Sequence, residues 1–424
     1  MAVNIVSLLP ILATSAFAQS ITPQDRPFGG LPFDFPKTKT PERMNISVDS
    51  SLIDLALRKV HDYRPSFDID DDWSIEGPSE VNITSAVDYW KNHYSWNDIQ
   101  AEINEKFEHY ATSVPGNGNY KPDIPLHFLH HRSSNASSVP LLLLHGWPST
   151  SLEWANVIEP LTQYGNRSFH IVAPDLPGFG FSPAPTQPLG PREMGKAFDA
   201  LMKQLGYETY GVVSTDLGWV VGMWMVHDAH SSIIGHFCDF WQGRPDESDL
   251  TRYKKNETAP EENAVIEAGK VWSSLHSVYS LVHGQKPQAL AIALSDSPVG
   301  LLGWYWDVNY ATSDGYAYSF KELITDTLML WIPGVYNNIR AYREIFKPES
   351  MSFPTSSVPL GVTEWGWGQG PFPALSSLPF VPESWILRAF NLVFFRRHET
   401  GGHFPAISRP DAWVEDVQLF FSQL

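Results

Sequence analysis

A chain of 424 residues, 43% hydrophobic and 18% charged, is long enough for two or three units or one decorated domain with a large buried core. A net charge of −18 with no long basic run excludes nucleic acid and anionic membranes as partners. A single cysteine, Cys238, excludes an internal disulfide; set in an apolar strand-like run, it reads as buried filler.

In chain order, residues 1–18 come first. MAVNIVSLLPILATSAFAQS has an apolar centre followed by the A-x-A-like site Ala16-Phe17-Ala18, the pattern of a signal peptide, and the apolar run is too short to span a bilayer. No later stretch reaches eighteen uninterrupted apolar residues, so no membrane span is expected. Five N-x-S/T sequons, at Asn45, Asn82, Asn135, Asn166 and Asn256, suit a glycosylated protein of the secretory route. Residues 19–137 form an N-terminal extension with helical patterns over 51–63 and 85–107.

From residue 138 short apolar strands alternate with helical patterns. The strands are 139–148, 170–182, 210–216, 233–241, 358–364 and 392–398; the helices include 192–206 and 410–424. Several strands are apolar on both faces, as in a covered parallel sheet, so the fold class is α/β. Residues 138–242 and 354–424 are the two parts of this core. Between them 243–353 is aromatic and helical without a good strand, and reads as an inserted lid. Such sheets place their sites at the carboxyl ends of the strands.

VVSTDLGW, 212–219, is a strand turning sharply into a helix with Asp216 where an esterase has its serine. Ser214 and Gly218 are small, as the turn requires. A carboxylate there can displace at an electrophilic carbon, an epoxide or halide carbon, and form an alkyl ester; a lone aspartate after a strand is otherwise a helix cap. His145-Gly146-Trp147-Pro148 follows the first core strand, where the N–H groups of Trp147 and Leu217 can form an oxyanion hole, with His145 as a structural hydrogen-bonder. In HETGGHF, His403 follows two glycines after the last strand and takes the histidine place in the order nucleophile, acid, histidine. His398 lies on the strand itself.

These segments, with YSWNDIQAEINEKF, PLHFLHHRS, LSDSPVGLLGW (294–304) and NLVFF (391–395), resemble the microsomal-type epoxide hydrolases, fungal members included, over nearly the whole chain past residue 28. The resemblance implies an α/β-hydrolase core with a helical lid and an N-terminal extension. It also implies a mechanism without metal or cofactor: Asp216 opens a small apolar epoxide, and water activated by His403 frees a vicinal diol. Tyr279 and Tyr342 of the lid match the two tyrosines that hold the epoxide oxygen and donate protons.

The third triad member departs from that family. The usual acid position holds Ser377, residues 372–382 contain no Asp or Glu, and WGWGQGPFPAL stands inserted just upstream. Asp239, after the strand that follows the elbow helix, is the candidate replacement, by likeness to certain haloalkane dehalogenases; Glu364 is the alternative. The missing acid leaves three other functions in view. One is a cyclase of fungal secondary metabolism that steers the epoxide to an internal nucleophile. Another is a non-catalytic secreted binding protein, against which the intact site residues stand. The third is a dehalogenase, which Leu217 disfavours, since a halide cradle commonly needs tryptophan there. The one protein partner left open is a second copy of the chain in a homodimer.

Overall fold

The computed structural model describes residues 30–424 except 70 and 164–166. The leader 1–18 and the sequon at Asn166 lie outside the described residues. Nine strands build one sheet: β1 (Glu42–Arg43), β2 (His109–Val114), β3 (Ile124–His131), β4 (Val139–Leu144), β5 (Phe169–Pro174), β6 (Tyr210–Ser214), β7 (Ile233–Cys238), β8 (Ser356–Trp365) and β9 (Phe390–His398). Their order is β1-β2-β3-β5-β4-β6-β7-β8-β9. Pairing is antiparallel from β1 through β5 along the sheet and parallel from β5 to β9. The sheet class and the lid match the sequence pattern. The strands of the extension are an addition to it: β1 and β2 join β3 in lengthening the core sheet.

Burial explains the parallel half. β4 and β6 run apolar on both faces because helices cover both. The C-terminal helix Pro410–Ser422 lies so close to the sheet that β6, β7 and β8 each give it a glycine. A Cβ on Gly211 would stand 2.3 Å from the Phe421 ring, and one on Gly361 2.7 Å from Phe420. Trp413 of the same helix is fully buried against Trp154 and Phe237.

The expected helix over 85–107 is two helices, Glu80–His93 and Trp96–Lys106. Ser95 breaks them, because its Oγ accepts the N–H of Asp98 at 3.3 Å and starts a new helix. With Ser50–His61 these helices pack on the lid, whose eight helices run from Glu247–Lys254 to Ala341–Ile345. Polar pins reinforce the contact: Trp73 Nε1 donates to Asp307 at 2.9 Å and the Tyr94 hydroxyl meets Thr325 at 3.1 Å. The extension therefore buttresses the outer side of the lid, and the lid closes over the carboxyl ends of the strands.

The helix Asp216–Asp228 starts tight against the end of β4. A Cβ on Gly218 would lie 2.3 Å from the Leu144 carbonyl oxygen and 2.5 Å from that of His145. These are backbone atoms, which cannot turn aside. Gly218→Ala should therefore cost about 2–3 kcal/mol of stability by overpacking. Urea unfolding of the variant beside the wild-type chain measures it; an unchanged midpoint would show that the elbow yields.

Candidate active site

Asp216 is the first residue after the β6 turn, and its backbone stands at φ +42°, the left-handed region that non-glycine residues seldom enter. The turn lifts its side chain above the sheet into a cavity of about 1120 Å³ beneath the lid. The backbone N–H of Trp147 donates to Asp216 Oδ1 at 2.8 Å. Gly146 makes the approach possible: a Cβ there would stand 2.2 Å from Oδ1 and 2.6 Å from the Leu217 nitrogen. The Leu217 N–H belongs to the first turn of its helix, where no intrahelical acceptor exists. Of the two backbone groups that the sequence points to, the Trp147 N–H is thus bonded to Oδ1, and the Leu217 nitrogen lies across Gly146 from it. His145 sits below, fully buried, its Nε2 accepting the N–H of Leu176 at 3.0 Å.

The other carboxylate oxygen faces His403, with Nε2 3.4 Å from Oδ2. The His403 loop is fixed by its backbone. Gly401 and Gly402 stand at φ +144° and +70°, and the His403 N–H donates to the Thr312 carbonyl at 3.0 Å. Asp314, a buried carboxylate in the lid, accepts the Gly401 N–H at 2.9 Å through Oδ2 and the Gln369 N–H at 2.7 Å through Oδ1. It ties the histidine loop to the Trp- and Gly-rich stretch, whose Trp367 lines the cavity 6.5 Å from His403. His398 turns elsewhere: it stacks on Trp365 at 3.8 Å and binds Asp416 at 2.6 Å.

Tyr279 and Tyr342 both line the cavity, their rings 6.0 Å apart and nearly perpendicular. Trp147 stacks under Tyr279 at 5.4 Å, and its Nε1 donates to Asn338 in the lid at 3.2 Å. Tyr342 Oη is buried without a hydrogen-bond partner. Burial, and then the charge of Asp216, pushes the Tyr279 phenol up; burial, then Tyr279 and Asp216, does the same to Tyr342. Both stay protonated. His283, edge-on to both rings and to Trp147, accepts from Trp304 Nε1 at 3.0 Å, and burial drives its pKa down to about 3. The roof over Asp216 is therefore aromatic and neutral.

No carboxylate other than Asp216 bonds the His403 ring among the described residues. Ser377 is exposed at the end of the short helix Pro373–Ser376. Glu364 is turned away: it accepts the N–H of Val381 at 2.8 Å and Arg397 Nε at 3.0 Å, and burial still raises its pKa to about 7. Asp239 directly follows β7. Its Oδ2 accepts Trp413 Nε1 at 2.6 Å, and its buried Oδ1 has no partner. Burial pushes its pKa up to about 6, against the opposing pull of the Thr215 hydroxyl, of Trp413 and of nearby His403. Phe240, the next residue, meets the His403 ring edge-on at 5.0 Å. Of the two acids, Asp239 is the one beside the histidine. Glu153 was not foreseen: it is buried with neither oxygen partnered, and burial and then Asp239 hold it protonated.

A family model described as the epoxide hydrolase N terminus matches residues 41–154, and one described as the alpha/beta hydrolase fold matches 139–234. Juvenile hormone epoxide hydrolase of Bombyx mori is 28% identical, over 80% of this chain and 77% of its own length. Epoxide hydrolase 1 of Sus scrofa is 24% identical, over 89% of this chain and 87% of its own. The chain is similar to the epoxide hydrolases of the α/β-hydrolase superfamily along most of its length. In fold, the chain superposes on the Aspergillus niger epoxide hydrolase with a TM-score of 0.75, at 23% identity over 92% of this chain and 98% of the other. The Bombyx mori juvenile hormone epoxide hydrolase structure gives 0.73 at 24% identity, over 91% and 95%.

Asp314 holds the Gly401 N–H of the His403 loop and the Gln369 N–H of the stretch beside it, and its loss leaves the buried Gly401 N–H unmet. Asp314→Ala should cost about 2–4 kcal/mol of stability and lower turnover at least tenfold. Hydrogen exchange read by mass spectrometry should accelerate across 398–404; unaltered protection there would show that the loop holds itself.

Proposed function

We propose that this protein is an epoxide hydrolase that opens its substrate through an ester on Asp216. Oδ2 attacks an epoxide carbon and the carbon–oxygen bond breaks. The freed oxygen takes a proton from Tyr342 or Tyr279. His403 then removes a proton from water, and the hydroxide adds to the ester carbonyl carbon. The oxyanion forms at Oδ1, where the N–H groups of Trp147 and Leu217 converge. Collapse breaks the ester carbon–oxygen bond, the departing alkoxide takes the proton of the new carboxyl group to give the diol and restore the Asp216 carboxylate, and the proton on His403 returns to the phenolate. The observation that carries this reading is the Trp147–Oδ1 hydrogen bond at 2.8 Å with the His403 imidazole 3.4 Å from the opposite oxygen. One oxygen is held for the carbonyl role, leaving the other to attack. The aromatic lining supports an apolar substrate. Exposed asparagines in the sequons at 45, 135 and 256 support a glycosylated enzyme of the secretory route.

Single turnover in ¹⁸O-labelled water should leave label in the peptide carrying Asp216, since the diol takes its second oxygen from the carboxylate. A diol formed with no label in the enzyme excludes the ester. Asp216→Asn should abolish product. A ring-closed product in place of the diol would favour the second reading, opening by a nucleophile within the substrate, which the lack of a carboxylate bonded to His403 keeps in view.

Asp239 serves as the acid that stabilises the His403 imidazolium. Its pKa is raised to about 6, so it takes up a proton as pH falls through that value and the stabilisation is lost. Ester hydrolysis should therefore slow below about pH 6, with ester formation less affected. Asp239→Asn should hydrolyse the ester about 10²–10⁴-fold more slowly and accumulate it, as intact-protein mass spectrometry would show. Normal turnover in that variant would remove Asp239 from the mechanism.

A further inference from the structure

The whole chain carries 47 acidic against 29 basic residues. The cavity inverts that balance: Arg244, Lys270, Arg343 and Lys347 line it, and Asp216 is its one acidic residue. Two of these cations are already neutralised, Lys270 by Glu267 at 3.0 Å and Lys347 by Glu344 at 2.5 Å. The two arginines are not. Arg343 follows Tyr342 and gives Nη1 only to the Gly284 carbonyl, at 3.2 Å. Arg244, on the loop that leads out from Asp239, has no hydrogen bond or ion pair among the described residues; its guanidinium stands over the Phe346 ring at 5.9 Å. Phe346 is three residues beyond Arg343 on the same lid segment, and both arginines are exposed residues that line the cavity.

An arginine fork is built for a planar carboxylate, which it can hold with two parallel bonds. Leaving such a donor set without an acid, in a chain this acidic, places positive potential at the mouth and nowhere deeper. Inside the mouth the walls are aromatic, and the floor is the Asp216 carboxylate, which would repel an anion. A molecule that satisfies all three zones has an anionic end, an apolar body and an uncharged electrophile. Resting on the Asp216 reading above, we propose that the substrate is an epoxide carrying a carboxylate, held at the cavity mouth by Arg244 and Arg343 while the ring reaches Asp216. The two arginines bind and orient the substrate and take no part in its opening.

The test compares 9,10-epoxyoctadecanoic acid with its methyl ester, which differ only in charge at one end, using styrene oxide as a neutral control. The wild-type enzyme should prefer the acid, and Arg244→Gln should lower the acid-to-ester ratio of kcat/KM by about tenfold, the size of one charge-assisted hydrogen bond. The loss should fall on KM. Arg343→Gln should lower the same ratio, and raised salt should shrink it in the wild type, because both groups stand at the solvent-facing mouth. Equal use of acid and ester by the wild-type enzyme, or a ratio unmoved in both variants, overturns the anion site. Opening of styrene oxide with no turnover of the acid also overturns it and leaves the Asp216 chemistry standing. Inertness toward all three epoxides defeats both.

Discussion

The geometry depends on one backbone strain. Asp216 stands at φ +42°, a conformation that costs a non-glycine residue about 1–3 kcal/mol. It survives because its surroundings are over-determined. The chain before it is locked into β6 between β4 and β7, and the helix after it presses Gly218 against the end of β4. The loop after β4 then returns over the top and hands the Trp147 N–H to Oδ1. Only glycine at 146 allows that return. Trp147 extends the constraint outward, since its indole bonds Asn338 and lies under Tyr279. The same residue thus fixes the carboxylate from below and the lid from above.

The electrostatics follow from what the lid excludes. Around the carboxylate stand phenols held protonated and a histidine held neutral. A lysine or arginine in their place would pair with Asp216 in the resting state and blunt it as an attacking group. Phenols stabilise a developing alkoxide with hydrogen bonds and leave the carboxylate its charge. Burial blunts two deeper acids: it holds Glu153 protonated and raises Asp326, bonded by Tyr305 at 2.6 Å, to about 7. Asp216 is the one acidic residue that lines the cavity itself.

Much of this was legible in the sequence because it is periodic or local. Apolar runs of five to ten residues punctuated by helical patterns mark a covered parallel sheet, and the elbow is marked by small residues flanking one carboxylate. The strands of the extension were hidden for a physical reason. β2 and β3 carry histidines at positions that are buried, and these are tolerated only because His109, His127 and Asp175 form a chain of bonds at 2.9 and 2.7 Å. No alternation of polar and apolar residues survives there to be seen. Asp314 was hidden differently. Its partners are backbone N–H groups on segments 55 and 87 residues away, and an amide leaves no trace in residue type. The unpaired state of Arg244 is likewise a property of its surroundings.

The displaced acid has a physical explanation in the same terms. In a serine triad the carboxylate both orients the imidazole and stabilises its charged form. Orientation needs contact; stabilisation acts through space. In this enzyme the backbone takes over much of the first task. Two left-handed glycines, the Thr312 carbonyl and the Asp314 carboxylate fix the position from which the His403 ring projects, and Phe240 and Phe404 pack against its faces and edges. What remains for an acid is charge, and a carboxylate nearby in a dry setting supplies that without a hydrogen bond to the ring, since Coulomb attraction across a few ångströms is strong where water is excluded. Asp239 has those properties: it is buried, held by one indole, unpaired at its other oxygen, and close enough for His403 to pull on its proton. On this reading the backbone anchors of the His403 loop aim the ring, and the role proposed for Asp239 is electrostatic alone.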